Sequence, residues 1–166
     1  LAQWQQVAGR PATGLITTAD LKALAAAGEA RRRDSGWTPI EGPGWRAGYP
    51  AARLSPVPGT PNAYASSDGR VRLAVTVAPP LSDDAWEGFV DSESEDRPGR
   101  ETQGYMRVND DMEISWSTPA GAEFALIHRR PAGVIRLTLT YAEALEEDWI
   151  DWKDIYAREF RVPVED

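Results

Sequence analysis

Three observations predict an α+β fold. Residues 37 to 141 alternate apolar and polar side chains at period two, the gaps between the later alternating runs are only as long as tight turns, and two amphipathic helical stretches interrupt or close the series. The expected sheet is antiparallel, a meander of four strands plus two or three N-terminal strands. Two amphipathic helices pack on it, and a helical remnant over residues 1–34 precedes a sandwich domain over residues 35–166.

In the first part Leu1, Trp4 and Val7 or Ala8 share a helical face, with Gly9 where a helix C-terminus wants it. Pro11 and Gly14 turn the chain. Thr17 or Thr18 then caps a second helix that has Asp20 in its first turn and Arg31, Arg32 and Arg33 at its C-terminal end, where each charge suits the helix dipole. Its stripe of Leu21, Leu24 and Ala25 is thin. Two such helices bury too little surface to be stable alone and must dock on something.

Asp34-Ser35-Gly36 breaks this texture, and strands are expected near 37–41, 45–49 and 62–66, with the Pro- and Gly-rich stretch from Pro50 to Pro61 a surface excursion. The clearest alternations follow. Val71, Leu73, Val75 and Val77 alternate with Arg70, Arg72 and Thr76. Met112, Ile114 and Trp116 alternate with Glu113, Ser115 and Ser117, and Ile135, Leu137, Leu139 and Tyr141 with Arg136, Thr138 and Thr140. Strands near 101–108, 111–118, 122–129 and 134–141 are joined by Asn109-Asp110, Pro119-Ala120-Gly121 and Pro131-Ala132-Gly133. Each strand reads as having one wet face. One helix opens at Ser82-Asp83-Asp84, runs to about Glu95 and carries Trp86, Phe89 and Val90 on its apolar side. The other runs from about Glu143 to Arg158 with Leu145, Trp149, Trp152 and Tyr156 in one stripe, and both are expected to cover the same apolar side of the sheet.

Composition narrows the function classes. The 166 residues are 42% hydrophobic and 27% charged with seven Trp, which indicates one globular core rather than disorder. The absence of Cys removes disulfides, thiolate metal sites and cysteine nucleophiles. Eighteen basic residues against 26 acidic ones give a net charge of -8, a poor basis for gripping a phosphate backbone, so no nucleic-acid partner is expected. No apolar run approaches the about 20 residues of a membrane span.

Residues 1–30 resemble the end of the small three-helix peptidoglycan-binding domain of bacterial cell-wall proteins. The matching run is Trp4-Gln5-Gln6-Val7-Ala8-Gly9-Arg10-Pro11-Ala12-Thr13-Gly14-Leu15-Ile16-Thr17, then Leu21 and Leu24. Trp4 stands where that family more often has Phe, and Arg10 where it has Leu. The resemblance implies that the first helix and the Asp-Gly loop of the family's binding surface would lie before Leu1. The remainder is similar to a module accompanying such domains in alphaproteobacterial envelope proteins, through Gly36-Trp37, Arg46 to Pro50, Ser66 to Arg70 and Phe160 to Pro163. Its element order also resembles the PsbP-like α/β/α sandwiches. Together these resemblances imply a non-catalytic, periplasmic or secreted binding module associated with peptidoglycan or another envelope protein. The alternatives are an accessory domain of a longer cell-wall hydrolase or peptidase, and a chaperone-like assembly adaptor.

The residues offer few catalytic candidates. His128, the sole histidine, shares a strand side with Phe124 and Leu126 and has no nucleophile motif beside it, so it reads as structural. Asp110 and Asp111 read as turn residues, and no ligand spacing indicates a metal; no catalytic residue and no cofactor is expected. Arg72, Ser115, Arg136 and Thr138 on the wet face could recognise a polar ligand or a muropeptide carboxylate. The charge is concentrated in residues 82–101, net -6, and 143–154, net -5, over a remainder of +3. Asp91, Glu95, Glu147 and Asp151 on these acidic helix faces are the candidates for docking a basic partner, against the simpler reading of a solvated surface.

Overall fold

The computed structural model describes residues 6, 9, 11, 13, 15–145, 152, 153, 155–157 and 159–163. The chain separates into two compact units, Leu1–Gly36 and Trp37–Asp166, and each is described by itself. In the first unit α1 spans Thr18–Asp34. Thr17 caps it: its hydroxyl accepts from the Asp20 amide at 3.1 Å, and the Asp20 carboxylate accepts from the Thr17 amide at 2.9 Å, a reciprocal capping box. Asp20 is buried, whereas Leu21 of the expected apolar stripe is 54% exposed and Leu24 is half-buried. The expected first helix falls mostly outside the described residues; Gly9 adopts φ +67 and donates its N–H to the Gln6 carbonyl.

In the second unit β1 (Trp37–Gly42) and β2 (Trp45–Pro50) form a hairpin. Then come β3 (Ser55–Pro56), β4 (Ala63–Ala65), β5 (Val71–Ala78), α2 (Asp83–Ser94), β6 (Glu101–Val108), β7 (Asp111–Thr118), β8 (Gly121–Arg130) and β9 (Gly133–Tyr141). A short 3-10 turn, Glu143–Leu145, stands where the last helix was expected to begin, and residues 152, 153, 155–157 and 159 are helical. The large sheet has seven antiparallel strands in the order β3-β4-β5-β9-β8-β7-β6. The four-strand meander is therefore present. The N-terminal hairpin β1–β2 does not join it but forms a separate two-stranded sheet, tied to the C-terminal tail by reciprocal backbone bonds between Arg46 and Arg161 at 2.9 Å. The stretch from Pro50 to Pro61 is not wholly a surface excursion either, since Leu54 is 1% exposed and Ser55–Pro56 pairs with Tyr64 and Ala65.

The expectation of one wet face fails for a definite reason. Opposed residues in an antiparallel ladder share a face. The register pairs Leu73 with Leu139, Leu139 with Phe124, and Phe124 with Ser115. One face, the front, is thus apolar on β5, β9 and β8 but turns polar on β7. On the back the order reverses, with Arg72 and Thr138 at one side and Ala125, Ile127, Ile114 and Trp116 at the other. Each face therefore needs its own cover. The front core contains Leu73, Leu137, Leu139 and Phe124 packed with Trp45 and Ala47 of the hairpin and with Trp152, Ile155, Tyr156 and Phe160 of the C-terminal segment. Trp37 stacks on Trp152 with centroids 6.0 Å apart, so the buried Trp152 fills core; Trp149 lies outside the described residues. The back core joins Trp86 and Val90 of α2 to Met112, Ile114, Trp116, Ala125 and Ile127. The two helical elements thus sit on opposite faces.

Two glycines fix the hairpin ends of the central strands. Gly121 and Gly133, at φ 137 and 145, open β8 and β9, and a Cβ on either would run into a carbonyl oxygen, of Tyr141 and Ala78 respectively. Burial on both faces of β8 gives a direct test. Phe124→Ala should cost about 3–5 kcal/mol and Ile127→Ala about 2–5 kcal/mol in urea unfolding, although they serve opposite cores. A near-neutral effect of either would show that its face is not covered.

Candidate functional site

Where the front face turns polar, the side chains become small. Ser115 and Ser117 of β7 project beside Gly104 and Gln103 of β6, which leaves a recess of about 370 Å³ lined by Gln103, Ser115, Ser117, Thr118, Glu143 and Lys153 together with Trp116, Gly121 and Ala122. Gln103 Nε2 donates to Ser117 Oγ at 3.2 Å, and a Cβ at Gly104 would press on Ser115 Oγ. Lys153 Nζ lies 5.6 Å from the centroid of the Tyr141 ring, against which its ammonium is held by cation–π attraction. The lining thus offers hydroxyls, an amide, an ammonium and a carboxylate, which suits a polar ligand bearing its own carboxylate or hydroxyls.

A smaller recess of about 150 Å³ lies at the other end of the same strands, lined by Met106, Val108, Asp111, Leu126, His128 and Ala157 among others. His128 Nδ1 is 2.7 Å from Asp111 Oδ1, Arg130 Nη1 donates to that same oxygen at 2.7 Å, and Arg130 Nη2 donates to the Val162 carbonyl at 3.3 Å. The ring packs against Phe160, 5.1 Å between centroids. Burial pushes the His128 pKa down despite the opposing pull of Asp111, so the imidazole is neutral and its Nδ1–H donates to the carboxylate. The Asp111 carboxyl, although burial opposes it, is held below its ordinary value by hydrogen bonds from Arg130 and His128. An Asp–His pair invites comparison with a catalytic relay, yet among the described residues lining this recess there is no Ser, Thr, Cys or Lys to act as nucleophile. The group fastens the C-terminal tail to β8. Asp110 and Asp111 are therefore more than turn residues, since Asp110 pairs with Arg129 at 3.0 Å while Asn109 supplies the positive φ of the turn.

The back face is held by a compact charge network. Glu93 Oε2 accepts from Arg100 at 3.0 Å and from Arg136 at 3.1 Å, Glu123 Oε1 accepts from Arg136 at 3.0 Å, and Arg136 Nε donates to Thr138 Oγ1 at 3.0 Å. The Arg100 guanidinium lies 3.5 Å over the Trp116 ring, whose Nε1 donates to the Glu93 carbonyl at 3.0 Å.

The four predicted ligand residues consequently do not converge. Arg136 and Thr138 are engaged with each other and with the network, Arg72 is exposed on the back of β5, and Ser115 is on the front in the polar recess. The reason is the switch in polarity: the apolar residues of β7 face back, so its polar ones face front. Of the acidic candidates, Asp91 is exposed on α2, Glu95 is an exposed C-cap just past the helix, and Glu147 and Asp151 lie outside the described residues. Other acids of that region already have partners within the fold. Asp83 pairs with Arg129 at 2.7 Å, Glu87 with Arg107 through two bonds of 2.6 and 2.7 Å, and Asp96 accepts from the Thr102 amide at 2.7 Å. Gln103, Glu143 and Lys153 had no signal of their own, because three separate elements bring them together; only the Ser115/Ser117 pair marked the place. No cluster of metal-ligating side chains occurs among the described residues, and no described helix is long and apolar enough to cross a membrane.

An antiparallel sheet covered on one face by a helix and on the other by a helical C-terminal segment is an α+β sandwich, and its likeness is to the PsbP-like fold. A solved structure with this likeness is cyanobacterial PsbP (CyanoP) from Synechocystis sp. PCC 6803, at a TM-score of 0.52 and 15% identity, over 76% of this chain and 92% of that one. No family model matches the chain, and no curated protein matches it. The likeness is one of fold.

The buried histidine sets a pH dependence. Its folded-state pKa lies below the ordinary value of 6.5, so between that value and the lower one the unfolded state binds more protons and stability falls as pH drops. The urea midpoint should fall from about pH 7 to about pH 5, and His128→Gln should flatten that segment. The Asp111 contribution is lost only at lower pH, below its ordinary 3.8, so the two windows separate.

Proposed function

We propose that this chain is a non-catalytic binding module of the bacterial cell envelope, periplasmic or secreted, that associates with peptidoglycan and positions itself or a partner there. The observation that carries the reading is the polar front recess. Its hydroxyl, amide and ammonium groups match the hydroxyls and stem-peptide carboxylates of cell-wall material. Ser117 is engaged by Gln103 and Lys153 by the Tyr141 ring, an arrangement for holding a ligand rather than for activating a nucleophile. The PsbP-like fold supports the reading only at the level of architecture. The peptidoglycan-binding resemblance of residues 1–30 gives it a cell-wall context. Arg72 is a secondary candidate on the opposite face, and Asp91 and Glu95 remain candidates for docking a basic partner.

The test is co-sedimentation with purified sacculi. The 166-residue protein should pellet with them, and Lys153→Glu should weaken binding about tenfold or more, as expected for loss of one charge-assisted contact. A version extended upstream of Leu1 should bind more tightly. If both lengths of the protein stay in the supernatant, the wall-binding reading is wrong.

A further inference from the structure

We propose that the edge strand β6 is a homodimer interface, in which two copies of this chain pair antiparallel through Gly104–Val108 about a two-fold axis at Met106. The proposal is independent of wall binding. A sheet edge exposes unpaired backbone donors and acceptors and is ordinarily blunted by brevity, Pro, Lys or a bulge. The β3 edge is two residues long and contains Pro56. The β6 edge is eight residues long without Pro or Lys. Its first part is blocked, since the Asp96 carboxylate takes the Thr102 N–H and the register with β7 shifts between Thr102 and Gly104. The remaining five residues are regular, and the exposed apolar residues of the strand all fall among them: Tyr105 at 45%, Met106 at 57% and Val108 at 61%. The smaller front recess borders this edge through Met106 and Val108.

Self-complementarity selects the occupant. An antiparallel dyad sets same-face residues opposite each other. With the axis at Met106, the two Met106 side chains meet, Tyr105 faces the other copy's Arg107, and Val108 lies over Gly104. An axis at Arg107 opposes two guanidiniums, and one at Tyr105 runs the pairing into the bulge. Two chains of net charge -8 repel over much of their surface. The Gly104–Val108 stretch escapes this, because its single charge, Arg107, is already matched by Glu87.

The protein has no cysteine, so a single thiol gives a clean readout. Residues opposite each other in such a pair have Cα atoms about 4.5–5.5 Å apart, within disulfide range. Under mild oxidation Met106→Cys should cross-link at least about tenfold faster than Val77→Cys, a comparably exposed control on β5, with near-UV circular dichroism unchanged. Sedimentation velocity of the unmodified protein at about 100 µM should show a dimer that Val108→Lys abolishes. Equal cross-linking rates, a dimer that survives Val108→Lys, or a monomeric wild type would each overturn the proposal; the last would leave the edge to an extended segment of another protein.

Discussion

The structure depends on one constraint: β8 is apolar on both faces. Phe124 and Leu126 look forward, Ala125 and Ile127 look back, and all four are buried. A strand of this kind cannot sit in a sheet with a wet side, because two side chains of the size of Leu and Ile left in water would each forgo about 1.5–3 kcal/mol. Both faces of the sheet must therefore be covered at its centre. The chain meets this with α2 between β5 and β6 on the back, and with the β1–β2 hairpin and the C-terminal segment, drawn from opposite ends of the unit, on the front. The strands flanking β8 need only one apolar side each, and they take opposite ones. That diagonal division of apolar surface decides where polar surface can exist.

On the back, the polar part is consumed by the fold. Glu93 is 8% exposed, and a carboxylate there would be costly unless its oxygens were paired, which Arg100 and Arg136 accomplish while Trp116 receives the Arg100 guanidinium on its ring. Such a network contributes orientation more than net stability, since desolvating the charges offsets most of their attraction. It fixes α2 against β7, β8 and β9, and it explains why the acidic stretch from 82 to 101 is less available to a partner than its net charge suggests. Several of its acids already face arginines of the same unit.

The strands and turns were legible because period-two alternation and Asn, Gly and Pro at short gaps are local signals. The α1 cap was legible for the same reason: Thr17 and Asp20 lie three residues apart. What could not be read locally was the pairing that relates one strand's faces to another's. β7 and β9 each alternate cleanly, and nothing in either run says that their apolar sides point in opposite directions; only the register through β8 reveals it. Arg136 and Thr138 therefore looked like partners of Ser115 although the sheet separates them. Leu54 was missed because a lone apolar residue among prolines carries no period. The partners of Arg107 and Arg129 were missed because Glu87 and Asp83 lie on α2, far away in sequence.

On the front, by contrast, the apolar cover runs out before the sheet does. The C-terminal segment and hairpin pack over β5, β9 and β8, and beyond Phe124 the next front-facing residue across the ladder is Ser115, followed by Gly104 at the edge. Side-chain volume thus declines from ring to hydroxyl to hydrogen in two steps across three strands, while Lys153 and Glu143 contribute to the lining from outside the sheet. A recess must form there, because nothing in those positions is large enough to fill it. Its polarity follows from the same fact, since small residues on a strand whose other face carries the core are free to be Ser. The polar recess is therefore the remainder left when a doubly buried central strand dictates where every large side chain goes.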